Sequence, residues 1–89
     1  MDNTLTIKDE TGRDCKITVL DILDRPKKKT IMLYFFHDDP RRVYASYLNE
    51  TENEFSLDPI TDPADIAYAD SEIDGAVREY IEMRRRGEV

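Results

Sequence analysis

The chain has 89 residues, of which 39% are apolar and 37% are charged, so we expect one domain over residues 1–89 with a thin core and a heavily ionised surface. The net charge of −7 disfavours direct contact with nucleic acid or an anionic membrane, because both require basic residues to neutralise phosphates. A single cysteine, no membrane-length apolar run and no secretory leader predict a cytoplasmic protein and exclude a disulfide scaffold, a membrane protein and a zinc finger.

The first part of the predicted sheet is a hairpin. Residues 4–8 alternate between polar and apolar side chains, which is typical of a strand with one buried face. A polar turn that ends at Gly12 follows, since glycine adopts positive φ without steric cost. A second run over 15–23 alternates until Val19 and Leu20, where two apolar residues are adjacent. We therefore expect an antiparallel pair with a bulge or bend late in its second strand.

The apolar centre of the sheet is the segment Ile31–Phe36. Both its odd and its even positions are apolar or aromatic, and a strand of this kind is usually covered on both faces. The other elements of this region are a loop at 24–29, a turn at 37–41, a strand at 43–48, an acidic turn at 49–54 and a short strand at 55–57.

A helix over 63–86 completes the predicted fold. Asp62 is a suitable N-cap, and Pro63 fits the first helical position. Residues three to four apart form one apolar stripe, made of Ile66, Ala69, Ile73, Val77, Tyr80 and Ile81. Gly75 weakens the helix, and a second capping pattern leaves open a break near Asp70. The predicted class is α+β: an antiparallel meander of four to five strands, with the helix packed on one face.

Three short motifs resemble those of the YrzB-like family of small acidic bacterial proteins, which is grouped as domain of unknown function 1292. Residues 5–12 are similar to its first strand and Asp-Glu-x-Gly turn, 19–22 to its Val-Leu-x-Ile run, and 57–62 to its Leu-x-Pro-Ile segment before an acidic helix. The resemblance covers most of residues 4–70 and implies a bacterial or phage context. It implies no catalytic residue and no cofactor. The basic run at 84–86 departs from the family pattern.

No group of residues in the sequence predicts catalysis or metal binding. His37 stands beside Asp38 and Asp39, but one histidine and two turn-forming aspartates fall short of the three or four ligands of a defined metal site. Cys15 lies on the inward face of a strand and is expected to pack as a small apolar residue. A nucleophile paired with a base and a glycine-rich phosphate loop are both missing from the sequence. We therefore expect a non-enzymatic protein without a cofactor or metal.

The even face of the central strand is the candidate binding surface. It carries Met32, Tyr34 and Phe36, and Tyr44 and Leu48 of the next strand are expected to join it. If the helix covers the odd face, this aromatic face has no obvious cover, and exposed apolar patches often mark interfaces. Two alternatives give it a cover: the sheet curls over it, or a broken helix wraps both faces.

These features predict a protein-binding module that self-associates or acts as an adaptor through its aromatic face. The prediction implies that Tyr34→Glu abolishes association in a domain that stays folded. The alternative function is an acidic mimic of nucleic acid that occupies a basic cleft on a nucleic-acid-processing enzyme. Its carboxylates would be those of Glu50, Glu52, Glu54 and Asp58, which rim the aromatic face, together with Asp62.

Overall fold

Five strands form one antiparallel sheet in chain order, and one helix follows them. The computed structural model describes residues 4–8, 11–50 and 55–87. The elements are β1 (Thr4–Lys8), β2 (Asp14–Leu23), β3 (Ile31–Phe36), β4 (Asp39–Glu50), β5 (Phe55–Pro59) and α1 (Pro63–Arg85). This arrangement confirms the predicted α+β class and the antiparallel meander.

The β1–β2 hairpin forms where the alternation predicts it. Ile7 lies opposite Cys15, and the register shifts between Val19 and Asp21, which confirms the bulge. Gly12 has a φ of 83°, a conformation that costs other residues steric energy. The first two residues of the predicted turn, at 9–10, lie outside the described residues.

The β3–β4 connection is shorter than the sequence indicates. The sequence predicts a turn over 37–41, but β4 begins at Asp39, and Asp39 lies opposite Phe36. The next aligned pair is Tyr34 with Tyr44, so residues 40–43 bulge out opposite the single residue Phe35. Pro40 is tolerated within the strand because a bulge does not require its missing N–H for the ladder.

The helix is continuous from Pro63 to Arg85 and does not break near Asp70. The side chain of Asp62 accepts a hydrogen bond from the backbone N–H of Ala64 at 2.9 Å, which confirms the predicted N-cap. Gly75 lies inside the helix at an exposed position. Tertiary contacts and the neighbouring helix-forming residues therefore outweigh the cost of one glycine.

The sheet is covered on both faces by different means. On the odd face of β3, the helix closes a core made of Leu23, Ile31, Leu33, Tyr47, Ala69 and Ala76. On the even face, the sheet curls so that residues of its own outer strands pack onto the centre. This second core contains Ile17, Met32, Tyr34 and Leu48, with Leu5, Ile7, Val19, Phe36, Tyr44 and Leu57 packed at its border. The curled sheet is thus the alternative that the structure adopts.

Candidate functional site

Three of the five residues of the predicted aromatic face belong to the second core. Met32 is 2% exposed, Tyr34 is 6% exposed and Leu48 is 9% exposed. The Tyr34 hydroxyl also lies 2.8 Å from the Ser46 hydroxyl oxygen, so its polar end is satisfied within the sheet. The expectation of an uncovered face is therefore wrong for these three residues, because the curled outer strands bury them. A charge at Tyr34 would unfold the domain rather than test an interface.

The other two residues of that face remain half-buried at its border. The rings of Phe36 and Tyr44 meet edge to face with centroids 5.2 Å apart, and both contact the ring of Tyr34 at 5.7 and 5.9 Å. Tyr34 supports them from below, so two partly exposed rings are held in a defined geometry. We call Tyr34, Phe36 and Tyr44 the aromatic corner.

A pair of opposite charges flanks the aromatic corner. Asp39 is the cross-strand partner of Phe36 and therefore lies on the same face of the sheet. Arg42 lies two positions before Tyr44 in the bulged segment 40–43, and unlike its neighbours Arg41 and Val43 it does not line the cleft on the helix-covered side of the sheet. Both side chains are exposed, and neither forms an ion pair with another residue in the described ranges.

The predicted acidic rim is only partly described. Glu50 and Asp58 are exposed on β4 and β5. Asp58 lies opposite Tyr47, a residue of the helix-covered core, so the prediction that Asp58 rims the aromatic face is wrong. The carboxylate of Asp58 accepts a hydrogen bond from the Asn49 side-chain amide on that other face. Glu52 and Glu54 lie outside the described residues. Asp62 is engaged as the helix N-cap, which gives that carboxylate a structural role.

A cleft that the sequence analysis did not predict lies on the opposite side of the sheet from the aromatic corner. It occupies about 620 Å³ between the sheet and the C-terminal half of α1. Its floor consists of Leu20, Phe35 and Val43, and its helical wall of Val77, Tyr80 and Ile81. Both strands beside β3 bulge near this level, β2 at Leu20 and β4 over residues 40–43. The phase slip at Leu20 was the one signal in the sequence.

A charged cluster fastens the start of the helix to the sheet. The Arg25 guanidinium donates to one Asp65 oxygen at 2.7 Å, and the Tyr47 hydroxyl donates to the other at 2.5 Å. The hydrogen bond from Arg25, followed by that from Tyr47, lowers the pKa of the Asp65 carboxyl. The same contacts raise the pKa values of the Arg25 and Tyr47 side chains. Both oxygens of Asp65 accept a hydrogen bond, which holds the start of the helix against Arg25 and Tyr47, although the Nε atom of Arg25 is buried without a hydrogen-bonding partner in the described part of the chain.

The predicted turn residues do not assemble a metal site. The ring nitrogen Nε2 of His37 lies 2.9 Å from the Thr18 hydroxyl oxygen, which gives the imidazole a hydrogen-bonding partner inside the sheet. Across the part of the chain that the structure describes, no three histidine, cysteine or carboxylate side chains converge as metal ligands would. Within that same part, no helix has the length and apolar character needed to cross a membrane.

Comparisons of the chain with family models, with curated proteins and with solved structures found no match. The resemblance of residues 5–12, 19–22 and 57–62 to the YrzB-like family therefore stays a prediction.

Proposed function

We propose that this chain is a small, non-enzymatic, cytoplasmic protein-binding module that associates with a second copy of itself through the aromatic corner. The observation that carries the proposal is the pair of half-buried rings, Phe36 and Tyr44, braced by the buried ring of Tyr34. Rigid aromatic side chains are enriched at interfaces because they bury a large area at a small entropic cost.

The flanking charges favour a second copy as the partner. In a twofold interface, residue i of one copy contacts residue j of the other, and j contacts i in return. Asp39 of one copy is then able to face Arg42 of its twin, and the reciprocal pair forms by symmetry. A chain with a net charge of −7 repels copies of itself over most of its surface, so this local match would select the orientation.

A charge swap tests this pairing. Arg42→Glu places four carboxylates in the proposed interface, and we expect it to weaken self-association strongly. Adding Asp39→Arg to that variant restores opposite charges in exchanged positions, so association should recover. Arg78→Glu is the matched control, because it makes the same charge change at an exposed position on the helix. Sedimentation velocity over a range of concentrations measures all four proteins.

Tyr44→Glu is the companion variant, and it replaces a test at the buried Tyr34. We expect it to abolish association while the circular dichroism spectrum remains that of the folded chain. Recovery of association in the double variant Arg42→Glu with Asp39→Arg would show that Arg42→Glu weakens association through its charge and not through misfolding. If the double variant associates as weakly as Arg42→Glu alone, the twofold arrangement is contradicted.

The acidic mimic remains the alternative function, and salt distinguishes it. Binding to a basic cleft would weaken steeply with salt, whereas association through aromatic rings would persist. A wild-type chain that stays monomeric, yet captures a nucleic-acid-processing enzyme at low salt only, would favour the mimic. Charge reversal at Glu52 and Glu54 should then abolish that capture.

A further inference from the structure

We propose that the cleft between the sheet and the C-terminal half of α1 binds a small amphipathic carboxylate, a compact apolar body that carries one negative charge. This site is separate from the aromatic corner. Arg41 and Val43 line the cleft, whereas Arg42 does not, and Tyr44 packs on Tyr34 on the other face of the sheet. The inference therefore does not depend on self-association.

The walls of the cleft supply the apolar part of the site. Leu20, Phe35 and Val43 come from three adjacent strands, and the helix faces them with Val77 and Ile81. A volume of about 620 Å³ falls within the roughly 300–1,000 Å³ of small-molecule sites. Ile81 is 44% exposed although it lines the cleft, so its apolar surface gains most from a ligand.

The rim of the cleft supplies the charge. Arg41 and Arg84 both line it, and neither forms an ion pair with another residue that the structure describes. The guanidinium carbon of Arg84 lies 5.9 Å from the centre of the Tyr80 ring, which itself packs edge to face on Phe35. That contact holds one cation beside the apolar walls.

The positive charge at the rim of the cleft favours a negatively charged ligand. Two cations at one cleft of a strongly acidic chain attract an anion, and a guanidinium binds a planar carboxylate through paired hydrogen bonds. Carboxylate side chains do not line the cleft among the described residues, so nothing there neutralises the arginines. A neutral ligand of the same shape would contact the apolar walls but would form no ion pair with the arginines at the rim.

A matched pair of probes tests the proposal. Naphthoate carries the carboxylate, and naphthylmethanol has the same aromatic body without the charge. We expect naphthoate to shift the amide resonances of Phe35, Val43 and Ile81 saturably, and naphthylmethanol to bind more weakly. Arg84→Gln should lower naphthoate affinity by about three- to ten-fold, the loss of one charge-assisted contact, and should leave naphthylmethanol unchanged. Arg85→Gln is the control, since Arg85 is exposed on the same helical turn but does not line the cleft.

A second pair of variants tests the walls. Ile81→Glu should abolish binding of both probes, whereas Ile66→Glu should leave it intact. Both isoleucines are 44% exposed on α1, and only Ile81 lines the cleft, so their effects on folding should match. The proposal is overturned if naphthoate shows no saturable binding below a Kd of about 1 mM. Equal affinity for the two probes, or an unchanged affinity in Arg84→Gln, would overturn it as well.

Discussion

Gly75→Ala tests whether the helix is continuous. Gly75 lies at an exposed position inside α1, and a methyl group added there would meet no atom within 4 Å apart from its chain neighbours and the backbone of its own helix. The substitution therefore neither creates a clash nor gains packing, and its effect comes from the backbone alone. Alanine in a helix interior is favoured over glycine by about 1 kcal/mol, because the unfolded glycine has more conformations to lose.

The expected gain is measurable in a chain of this size. A change of about 1 kcal/mol shifts the Tm of a domain of 60–100 residues by roughly 4–8 °C. We expect Gly75→Ala to raise the Tm by about that amount, measured by circular dichroism at the helical band. Urea unfolding should give the same gain with an unchanged m-value.

Gly87→Ala is the matched control for the backbone argument. A methyl group at Gly87 also meets nothing within 4 Å, but this residue has a φ of 76° just beyond the helix. Alanine is strained in that conformation, so we expect a loss of up to about 1 kcal/mol. The two substitutions are chemically identical and should have opposite signs. A neutral or destabilising Gly75→Ala would refute the continuous helix.

Two further predictions concern the second core and the charged cluster. Met32→Ala should destabilise the fold by about 2–5 kcal/mol in urea unfolding, because this side chain is 2% exposed; a loss below about 1 kcal/mol would contradict its burial. Hydrogen bonds from Arg25 and Tyr47 lower the pKa of the Asp65 carboxyl in the folded chain. The charged carboxylate therefore stabilises the fold at any pH above its unfolded pKa of about 4. This stabilisation is lost as the pH falls through the pKa that Asp65 has in the folded chain. Asp65→Asn should therefore be less stable at pH 7 and lose less stability on acidification, and an unchanged acid dependence of urea unfolding would contradict the cluster.

The elements that were predicted well have strong local signals. These signals are the alternation of β1 and β2, the apolar run of β3 and the Asp62–Pro63 helix cap. Each of them is a local preference that the folded structure keeps. The double apolar step at Val19 and Leu20 also indicated the bulge that the register shift confirms. Periodicity and capping act within a few residues, so a single sequence contains them.

The features that were missed depend on contacts between distant segments. The burial of Met32 and Leu48 follows from the curl of the sheet, which brings the outer strands onto the even face of β3. No short segment of the sequence predicts that curvature. The strand β4 continues through Pro40 because its hydrogen-bonded ladder with β3 is interrupted opposite Phe35. This interruption depends on how β4 pairs with β3, so the sequence around Pro40 does not show it.

The cleft was missed for the same reason. Its floor combines residues of β2, β3 and β4, and its wall comes from the far end of the chain. The apolar stripe of α1 includes Val77 and Ile81, and from sequence that stripe predicts a packed core. Leu20 and Val43 of that floor lie at register shifts, which depend on the pairing of β2 and β4 with β3.

The most direct test of the proposed function is an isotope-filtered NMR experiment on a mixture of labelled and unlabelled chains. Contacts between protons of different copies then appear separately from those within one copy. We expect contacts between the Phe36 and Tyr44 rings of one copy and those of the other. Contacts confined to another surface, such as the exposed Phe55 at the sheet edge, or a mixture with no intermolecular contacts at all, would contradict it.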